Sequence, residues 1–304
     1  MLIASTGCIM RNPPLVRYAL ALFLASILVS SSLMSAAGQG LTTITPNPQI
    51  QVAYIKPPVT ADAAESAQLA ATYAWLTTRR PLEELGVFLA PLKLPRPIKI
   101  QVDRCGAERR PYRSGDPVTI CYELISKIEQ VAGGIADPDV KLKVIVGTFI
   151  QAVLHETAYA VFDTLQVPVW GREDDAADRL SAYVLMQFSG EIATAVIVGS
   201  AEFFLVSSRT WTGSEFADTV SPEAQRFYNF LCIAYGGDNL DFGGWTQAPQ
   251  GQDPLLPQHR ASQCAYEYEQ VRHAFDLRIM PYVNPDLALQ VKAAQWLLPK
   301  ELGK

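Results

Sequence analysis

The most informative segment of the chain is "VLHETAYAVFDTLQVPVWGREDDAAD", residues 153–178. It opens like the pattern His-Glu-x-x-His, in which two histidines on one helical face bind zinc and the glutamate acts as general base. His155 is the candidate first metal ligand, and Glu156 is the candidate catalytic residue. Tyr159 stands at the position of the second histidine. A phenol with an ordinary pKa near 10 is a poor ligand at neutral pH.

The second half of the stretch supplies acids with the spacing of Glu-x-x-x-Asp. In sites of this kind the first acid is the third metal ligand, and the second acid orients a ligating histidine. Asp174 is therefore a candidate metal ligand, Asp178 a supporting residue, and Glu173 an acid beside them. Simpler interpretations also fit the letters. A buried His–Glu pair can be merely hydrogen-bonded, and acids are favoured at any helix start by the helix dipole.

Composition predicts a folded chain and disfavours a nucleic-acid partner. The 304 residues are 49% hydrophobic and 18% charged, with a net charge of -5. A chain of this length can bury a substantial core. No basic stripe is long enough to follow a phosphate backbone, so we expect no nucleic-acid partner.

The first residues predict export. Arg11 and Arg17 precede the apolar run "YALALFLASILV", and small residues follow it. This order is typical of a signal peptide, here residues 1–38, and the run is short for a membrane span. We expect a periplasmic or extracellular protein with no stable membrane span after signal cleavage. A retained N-terminal anchor is the alternative.

Export makes disulfides the expected state of the cysteines. Apart from Cys8 in the signal segment, the chain has Cys105, Cys121, Cys232 and Cys264. An even number in an oxidising compartment predicts two bridges. Three pairings are open, and we favour the two that are local in sequence, Cys105–Cys121 and Cys232–Cys264. A cysteine zinc site is disfavoured because no Cys-x-x-Cys pair occurs.

The chain after the signal predicts an α+β domain, mainly helical, over residues 61–304. Residues 39–60, rich in proline and threonine, predict a linker with room for one strand. The predicted helices cover 61–92 with a break at Pro81, 139–165, 174–206, a segment capped by Ser221 and begun by Pro222, and 261–280.

Two predicted strands, residues 96–106 and 116–125, are separated by a polar segment and are expected to form a hairpin. The helix over 139–165 is apolar on nearly every side, so we expect it to be buried on all faces. A membrane span is disfavoured because Gln151, His155 and Glu156 would lie near the middle of the bilayer.

Several segments together resemble a bacterial family of exported putative metallopeptidases, in which His-Glu-x-x-His is followed by Gly-Arg-Glu-Glu/Asp-Asp-Ala-Ala-Asp. The matching segments, which span about residues 65–285, are "CG" at 105–106, "CYEL" at 121–124, the stretch 153–178, "QRFYNFLC" at 225–232 and "LPQHRASQCAYEY" at 256–268. The resemblance implies a zincin-like fold, in which a small sheet packs on two central motif helices. It also implies a zinc cofactor and a peptide or protein in a cleft.

The chain departs from the family pattern where the chemistry would occur. The family has histidine where Tyr159 stands and glutamate where Asp174 stands. It has a further histidine just before the "QRFYN" segment, where this chain has Thr219 and Val220, and Asn-Ala after the first "CG", where this chain has Arg109-Arg110. Zinc, if bound, would therefore occupy an impaired site.

Three hypotheses follow. In the first, the protein is a degenerate metallopeptidase homologue that binds a peptide or protein without efficient hydrolysis. In the second, it is an active metal-dependent peptidase that uses His155, Asp174 and a third ligand, either Tyr159 or one of the remaining histidines, His259 and His273.

In the third hypothesis the protein has a purely structural role in the cell envelope. The binding hypotheses require an open groove beside His155. The structural hypothesis expects that groove to be filled, for example by Tyr159 and Tyr183.

Overall fold

The computed structural model describes residues 44–106, 112–188, 190–208, 219–238, 242–248, 251 and 253–293. The predicted signal peptide, residues 1–38, lies outside these ranges, as do Arg109 and Arg110. The strands are β1 (Ile50–Tyr54), β2 (Ile98–Asp103) and β3 (Val118–Cys121). The helices are α1 (Ala63–Arg79), α2 (Pro81–Phe88), α3 (Tyr122–Gly133), α4 (Pro138–Thr164), α5 (Glu173–Leu185), α6 (Gly190–Ser208), α7 (Glu223–Gly237), α8 (Gln258–Arg278) and α9 (Pro285–Ala293). The described chain is mainly helical with a small sheet, which confirms the predicted α+β class.

The sheet is parallel throughout, in the order β1-β2-β3. Ile50 pairs with Ile98, and Ile100 pairs with Val118. The predicted hairpin between β2 and β3 is therefore wrong. A parallel pair needs a connection of roughly a dozen residues or more. Residues 104–117 are long enough to bring the chain from the end of β2 back to the end of the sheet at which β2 begins. Strand β1 lies within the stretch predicted as a linker and forms an edge of the sheet.

Both predicted disulfides are present. Cys105–Cys121 joins the carboxyl ends of β2 and β3. Because the strands are parallel, these two ends lie side by side at one end of the sheet. Cys232–Cys264 joins α7 to α8, and both of its residues are fully buried. Disulfides of this kind indicate that the protein resides in an oxidising compartment.

Local signals explain most helix ends. The carboxylate of Asp62 caps α1, and that of Asp137 caps α4. The chain turns at Arg80, which has φ of 54°, and Pro81 then begins α2. Proline is favoured at a first helical position because it lacks the N–H that would be unpaired there.

Two predicted helix boundaries are wrong. The helix predicted over 174–206 is two helices, since α5 ends at Leu185 and α6 begins at Gly190. Glycine has low helix propensity, which favours a break at this point. Ser221 does not cap α7, which begins at Glu223; its hydroxyl instead accepts a hydrogen bond from Arg172 Nη1 at 3.1 Å.

Helix α4 is the centre of the fold. It packs against α3, α5, α6 and the strands β2 and β3. Among the described helices it alone is long and apolar enough to cross a membrane, but 83% of its most apolar window is buried within the fold, as in the core helix of a soluble protein. Gly147 on α4 and Gly199 on α6 allow the backbones of these helices to approach closely, because a Cβ at either position would meet the opposite backbone.

Candidate active site

Helices α4 and α5 bring the predicted acids to the predicted histidine. His155 is on α4, and Asp174 and Asp178 lie one turn apart on α5. His155 Nδ1 lies 2.7 Å from Asp178 Oδ1, and His155 Nε2 lies 3.5 Å from Asp174 Oδ1. All three residues are buried. The Nδ1–Asp178 hydrogen bond fixes the imidazole and turns Nε2 toward Asp174, the arrangement in which a ligating histidine is oriented by a carboxylate.

Tyr159 faces the same nitrogen. Its hydroxyl lies 3.4 Å from His155 Nε2, and the two rings meet edge-on with centroids 5.3 Å apart. Tyr159 stands at the position of the second histidine in the motif. Its phenol oxygen therefore points to the position that the second metal-binding imidazole would occupy. The side chain is buried, with 7% of its surface exposed.

Arg226 of α7 completes the network, although no sequence motif marks it as a site residue. Its Nε donates to Asp178 Oδ2 at 2.7 Å, and its Nη2 donates to Asp178 Oδ1 at 2.9 Å. Gln151 Nε2 donates to Asp178 Oδ1 at 3.1 Å. The Arg226 guanidinium also lies 4.6 Å from the centroid of the Phe204 ring. The available signal was the position of Arg226 within the matching segment "QRFYN".

Opposite charges hold this network in its ionised form. Burial lowers the pKa of His155, but Asp178 and Asp174 outweigh it and raise that pKa to about 9. Burial likewise opposes the charge of Asp178, yet Arg226 and His155 hold its pKa well below the usual range. The pKa of Arg226 is raised despite burial, mainly by Asp178. The contacts among these three residues therefore favour the charged form of each side chain.

An open cavity of about 420 Å³ lies beside these residues. Its walls include Thr148, Gln151, His155, Glu156, Val220 and Arg226. Glu156, the predicted general base, is half-buried and borders this space. Val220 also borders it, in the stretch where the family resemblance implies a histidine.

Other predicted candidates lie elsewhere. Tyr183 does not fill the cavity and packs against Tyr268 and Phe275 instead. Glu173 is exposed at the start of α5, and its pKa is raised by partial burial and by the adjacent Asp174 carboxylate. His259 and His273 are exposed on α8, and neither lines the cavity.

A comparison with family profiles decides the affiliation. A profile described as "Putative metallopeptidase" matches residues 62–277, most of the chain. The protein belongs to this family. No curated protein and no solved structure matches the chain significantly. The family suggests a metal, so the donor atoms of the site can be tested for their ability to bind one.

The distances between the candidate ligand atoms suit a tetrahedral metal ion, but the types of ligand suit it less well. With bonds of about 2.0–2.1 Å, tetrahedral ligands lie about 3.3 Å apart. The distances of 3.4 and 3.5 Å from His155 Nε2 to the Tyr159 oxygen and the Asp174 carboxylate approach this value. The set contains one imidazole where the family pattern has two. The phenol must also lose a proton to become a strong ligand.

Another cluster contains metal-ligand residue types. Among the described His, Cys, Asp and Glu residues, one group of three has its ligand atoms within 4.8 Å of one another: Cys105, Cys121 and Glu123. Its two sulfur atoms form a disulfide, so they are not thiolate ligands. The Glu123 carboxylate accepts backbone hydrogen bonds from Cys105 and Gly106 at 3.0 and 2.9 Å. This cluster therefore stabilises the end of the sheet.

Proposed function

We propose that this protein is an exported, zincin-like metallopeptidase homologue that binds a peptide or protein segment in the cavity beside His155 and hydrolyses it inefficiently. The proposal rests on one observation: Tyr159 presents a phenol oxygen, not an imidazole, 3.4 Å from His155 Nε2. Residues 61–304 would form the domain, with β1 as an added edge strand.

The surrounding residues support retention of a binding site. The open cavity of about 420 Å³ is in the range of small-molecule and side-chain pockets. It favours binding over a purely structural role, which expects this space to be filled. Asp178 and Arg226 hold His155 in a fixed orientation, so the supporting interactions are present although one ligand type has changed.

The change at Tyr159 weakens metal binding for a definable reason. Deprotonating a phenol of pKa near 10 at pH 7 costs about 4 kcal/mol. That cost corresponds to a loss of about a thousandfold in affinity relative to a ligand that needs no deprotonation. When bound, zinc would supply Lewis-acid activation of water and of a carbonyl group. The contribution of the chain itself is the Glu156 carboxylate, which borders the cavity and can accept a proton from water.

Elemental mass spectrometry on the mature protein tests this proposal. Wild type should contain zinc well below one ion per chain, and Tyr159→His should retain one. Tyr228→His adds a histidine on α7, where the side chain is 37% exposed, and serves as a matched control that should stay empty. One tightly bound zinc in wild type would show that the site is not impaired.

Binding is tested separately with fluorescein-labelled casein. Wild type should raise its fluorescence polarisation without producing fragments. A lack of binding by both wild type and Tyr159→His would contradict a retained peptide cleft. Hydrolysis by the metal-loaded Tyr159→His variant, lost again in Tyr159→His/Glu156→Gln, would support the assigned role of Glu156.

A second candidate function is an active peptidase with His155, Asp174 and Tyr159 as ligands. The near-tetrahedral distances around His155 Nε2 favour it. It predicts casein cleavage by wild type that both a chelator and Glu156→Gln abolish. Cleavage that survives Glu156→Gln would remove Glu156 as the general base.

A further inference from the structure

A second cavity borders a different face of the motif helix. Leu154, Ala158 and Val161 of α4 line it, whereas His155 and Glu156 line the first cavity. Its volume is about 470 Å³, within the range of sites that hold drug-sized molecules. Side chains from α2, α5, α8 and α9 form the other walls. This space, here called the apolar groove, is separate from the candidate active site.

The walls of the apolar groove leave large apolar side chains in contact with solvent. Phe88 and Phe188 both line the groove, and their rings stack with centroids 4.1 Å apart. Met280 and Leu289 also line it, although 41% and 68% of their surfaces are exposed. Apolar surface that is concave and still exposed is typical of a site that another apolar group covers.

The charged side chains at the groove do not select an occupant of either sign. Asp276 of α8 and Lys292 of α9 both line it, so one negative and one positive group border the same space. Asp276 is also paired with Arg272 Nη1 at 2.9 Å. The remaining walls are mostly apolar, and the occupant that fits them is therefore an apolar one.

The described part of the chain ends at a wall of this groove. Val291 and Lys292, in the last turn of α9, line the groove, and α9 ends at Ala293. Residues 294–304 follow, with the sequence "AQWLLPKELGK". At about 3.3–3.6 Å per residue, Trp296 lies no more than about 11 Å from the end of α9. The covalent chain therefore keeps this segment within reach of the groove.

Sequence spacing brings the apolar residues of that segment to the groove side of α9. Leu289 and Lys292 line the groove and are three positions apart, as residues on one helical face are. The same helical spacing leads from Lys292 to Trp296, and Leu297 and Leu298 follow directly. An indole and two leucine side chains are together comparable in size to the molecules that cavities of this volume hold.

The groove also lies where the family domain meets the chain that follows it. The family profile ends at residue 277, and Met280 and Leu289 supply walls from beyond that point. Helix α9 thus covers part of the apolar surface that α4, α5 and α8 present, and the groove is the part left uncovered by the described residues. A segment that continues from α9 is placed to cover the rest.

We propose that residues 296–298 occupy the apolar groove of the same chain. The segment after α9 then covers the face of α4 that carries Leu154, Ala158 and Val161, and it shields Met280 from solvent. Docking of this segment stabilises the motif helix and leaves the cavity beside the candidate site open. The proposal does not depend on peptide binding or on a metal at the candidate site.

Fluorine NMR of the full mature chain labelled with 5-fluorotryptophan tests the surroundings of Trp296. The signal that Trp296→Phe removes should shift little when H₂O is replaced by D₂O, because a docked ring has little contact with solvent. Trp170, on the connection between α4 and α5, is 95% exposed and supplies the exposed reference. The signal that Trp170→Phe removes should show the full solvent shift.

Two charge substitutions locate the docked segment. Leu289→Glu places a carboxylate at the groove, where an apolar segment would bury it at a cost. It should raise the solvent shift of the Trp296 signal to that of Trp170. Leu277→Glu is the matched control and should change nothing, because Leu277 is 61% exposed, against 68% for Leu289, but does not line the groove.

The dye 1-anilinonaphthalene-8-sulfonate reports whether the groove is covered. It fluoresces on exposed apolar surface, so wild type should bind little of it. The full-length variant Trp296→Ser/Leu297→Ser/Leu298→Ser should raise the dye fluorescence at least about twofold and unfold at a lower urea concentration, since it loses the burial of these side chains.

Four outcomes would overturn the proposal. A solvent shift of Trp296 as large as that of Trp170 would show that the segment is not docked. A Trp296 signal that is protected but unchanged by Leu289→Glu would place the segment elsewhere. Dye binding by wild type equal to that of the triple variant would show a groove open to external apolar ligands. A wild-type dimer in sedimentation that Leu289→Glu converts to a monomer would identify a second copy as the cover.

Discussion

The substitution Arg226→Met isolates the interaction that supports the candidate site. Methionine keeps the apolar contact with the Phe204 ring but removes both hydrogen bonds to Asp178. Asp178 is 2% exposed, so solvent cannot replace the lost partner. The carboxylate would keep only its contacts with Gln151 and His155.

The expected cost follows from burial. Removing one partner of a buried ion pair costs about 3–5 kcal/mol because the other charge is left uncompensated. Two donors remain on Asp178, so we expect the lower end of this range, about 3 kcal/mol. Lys127→Met is the matched control. Its ion pair with Glu223 has side chains 48% and 27% exposed, and its loss should cost less than about 1 kcal/mol.

Urea unfolding with both disulfides intact measures the two variants. The urea concentration at the unfolding midpoint should fall strongly for Arg226→Met and little for Lys127→Met. The slope of unfolding free energy against urea concentration should be unchanged in both. In the double variant Arg226→Met/Asp178→Asn neither charge of the pair remains. The losses of unfolding free energy caused by the two single substitutions should therefore not add, and the double variant should fall short of their sum by about 2 kcal/mol.

A loss below about 1 kcal/mol for Arg226→Met, or full additivity with Asp178→Asn, would contradict this expectation. Either result would mean that Asp178 does not depend on Arg226 in the folded protein. His155 would then be oriented by Asp178 without support from α7.

Three further predictions concern stability. Cys264→Ser should cost about 4 kcal/mol and Cys121→Ser about 3 kcal/mol, because the longer loop constrains the unfolded chain more, and thermal unfolding will rank them. Gly199→Ala should cost about 1–3 kcal/mol in urea unfolding because its Cβ collides with the α4 backbone, whereas Gly133→Ala, with open space around it, should be neutral or slightly stabilising. Partial burial raises the pKa of Glu123, but hydrogen bonds from three backbone N–H groups and the nearby Arg104 outweigh it and lower that pKa. The stabilisation by Glu123 is therefore present above the unfolded pKa and is lost as pH falls. Glu123→Gln should therefore be less stable than wild type at pH 7 and equal to it near pH 3.

Features that depend on local spacing followed from the sequence. Helical periodicity places residues four apart on one face, so the spacing of Asp174 and Asp178 indicated that both acids share one side of α5. The structure brings both of them to His155. The break at Pro81 and the pairing of neighbouring cysteines were also predicted correctly, because proline lacks an N–H and short loops close easily.

Features that depend on contacts between distant segments did not follow from the sequence. The sequence predicted a hairpin where β2 and β3 are parallel, because turn-prone residues can also belong to a crossover. Ser221 has a residue type and position that are typical of a helix cap. Its hydroxyl instead accepts a hydrogen bond from Arg172, which belongs to another segment. Local signals are weak relative to such tertiary competition.

Local patterns in the sequence were enough to predict a helix with His155 and Glu156, a following helix with two spaced acids, and a tyrosine in place of a histidine. The folded structure alone shows that Arg226, 48 residues beyond Asp178, neutralises that buried acid. It also shows that α4 borders two cavities, one lined mainly by apolar side chains and one beside His155. The physical reason is that a helix specifies its own faces through its period, whereas the partner of each face is selected by packing among segments far apart in the chain.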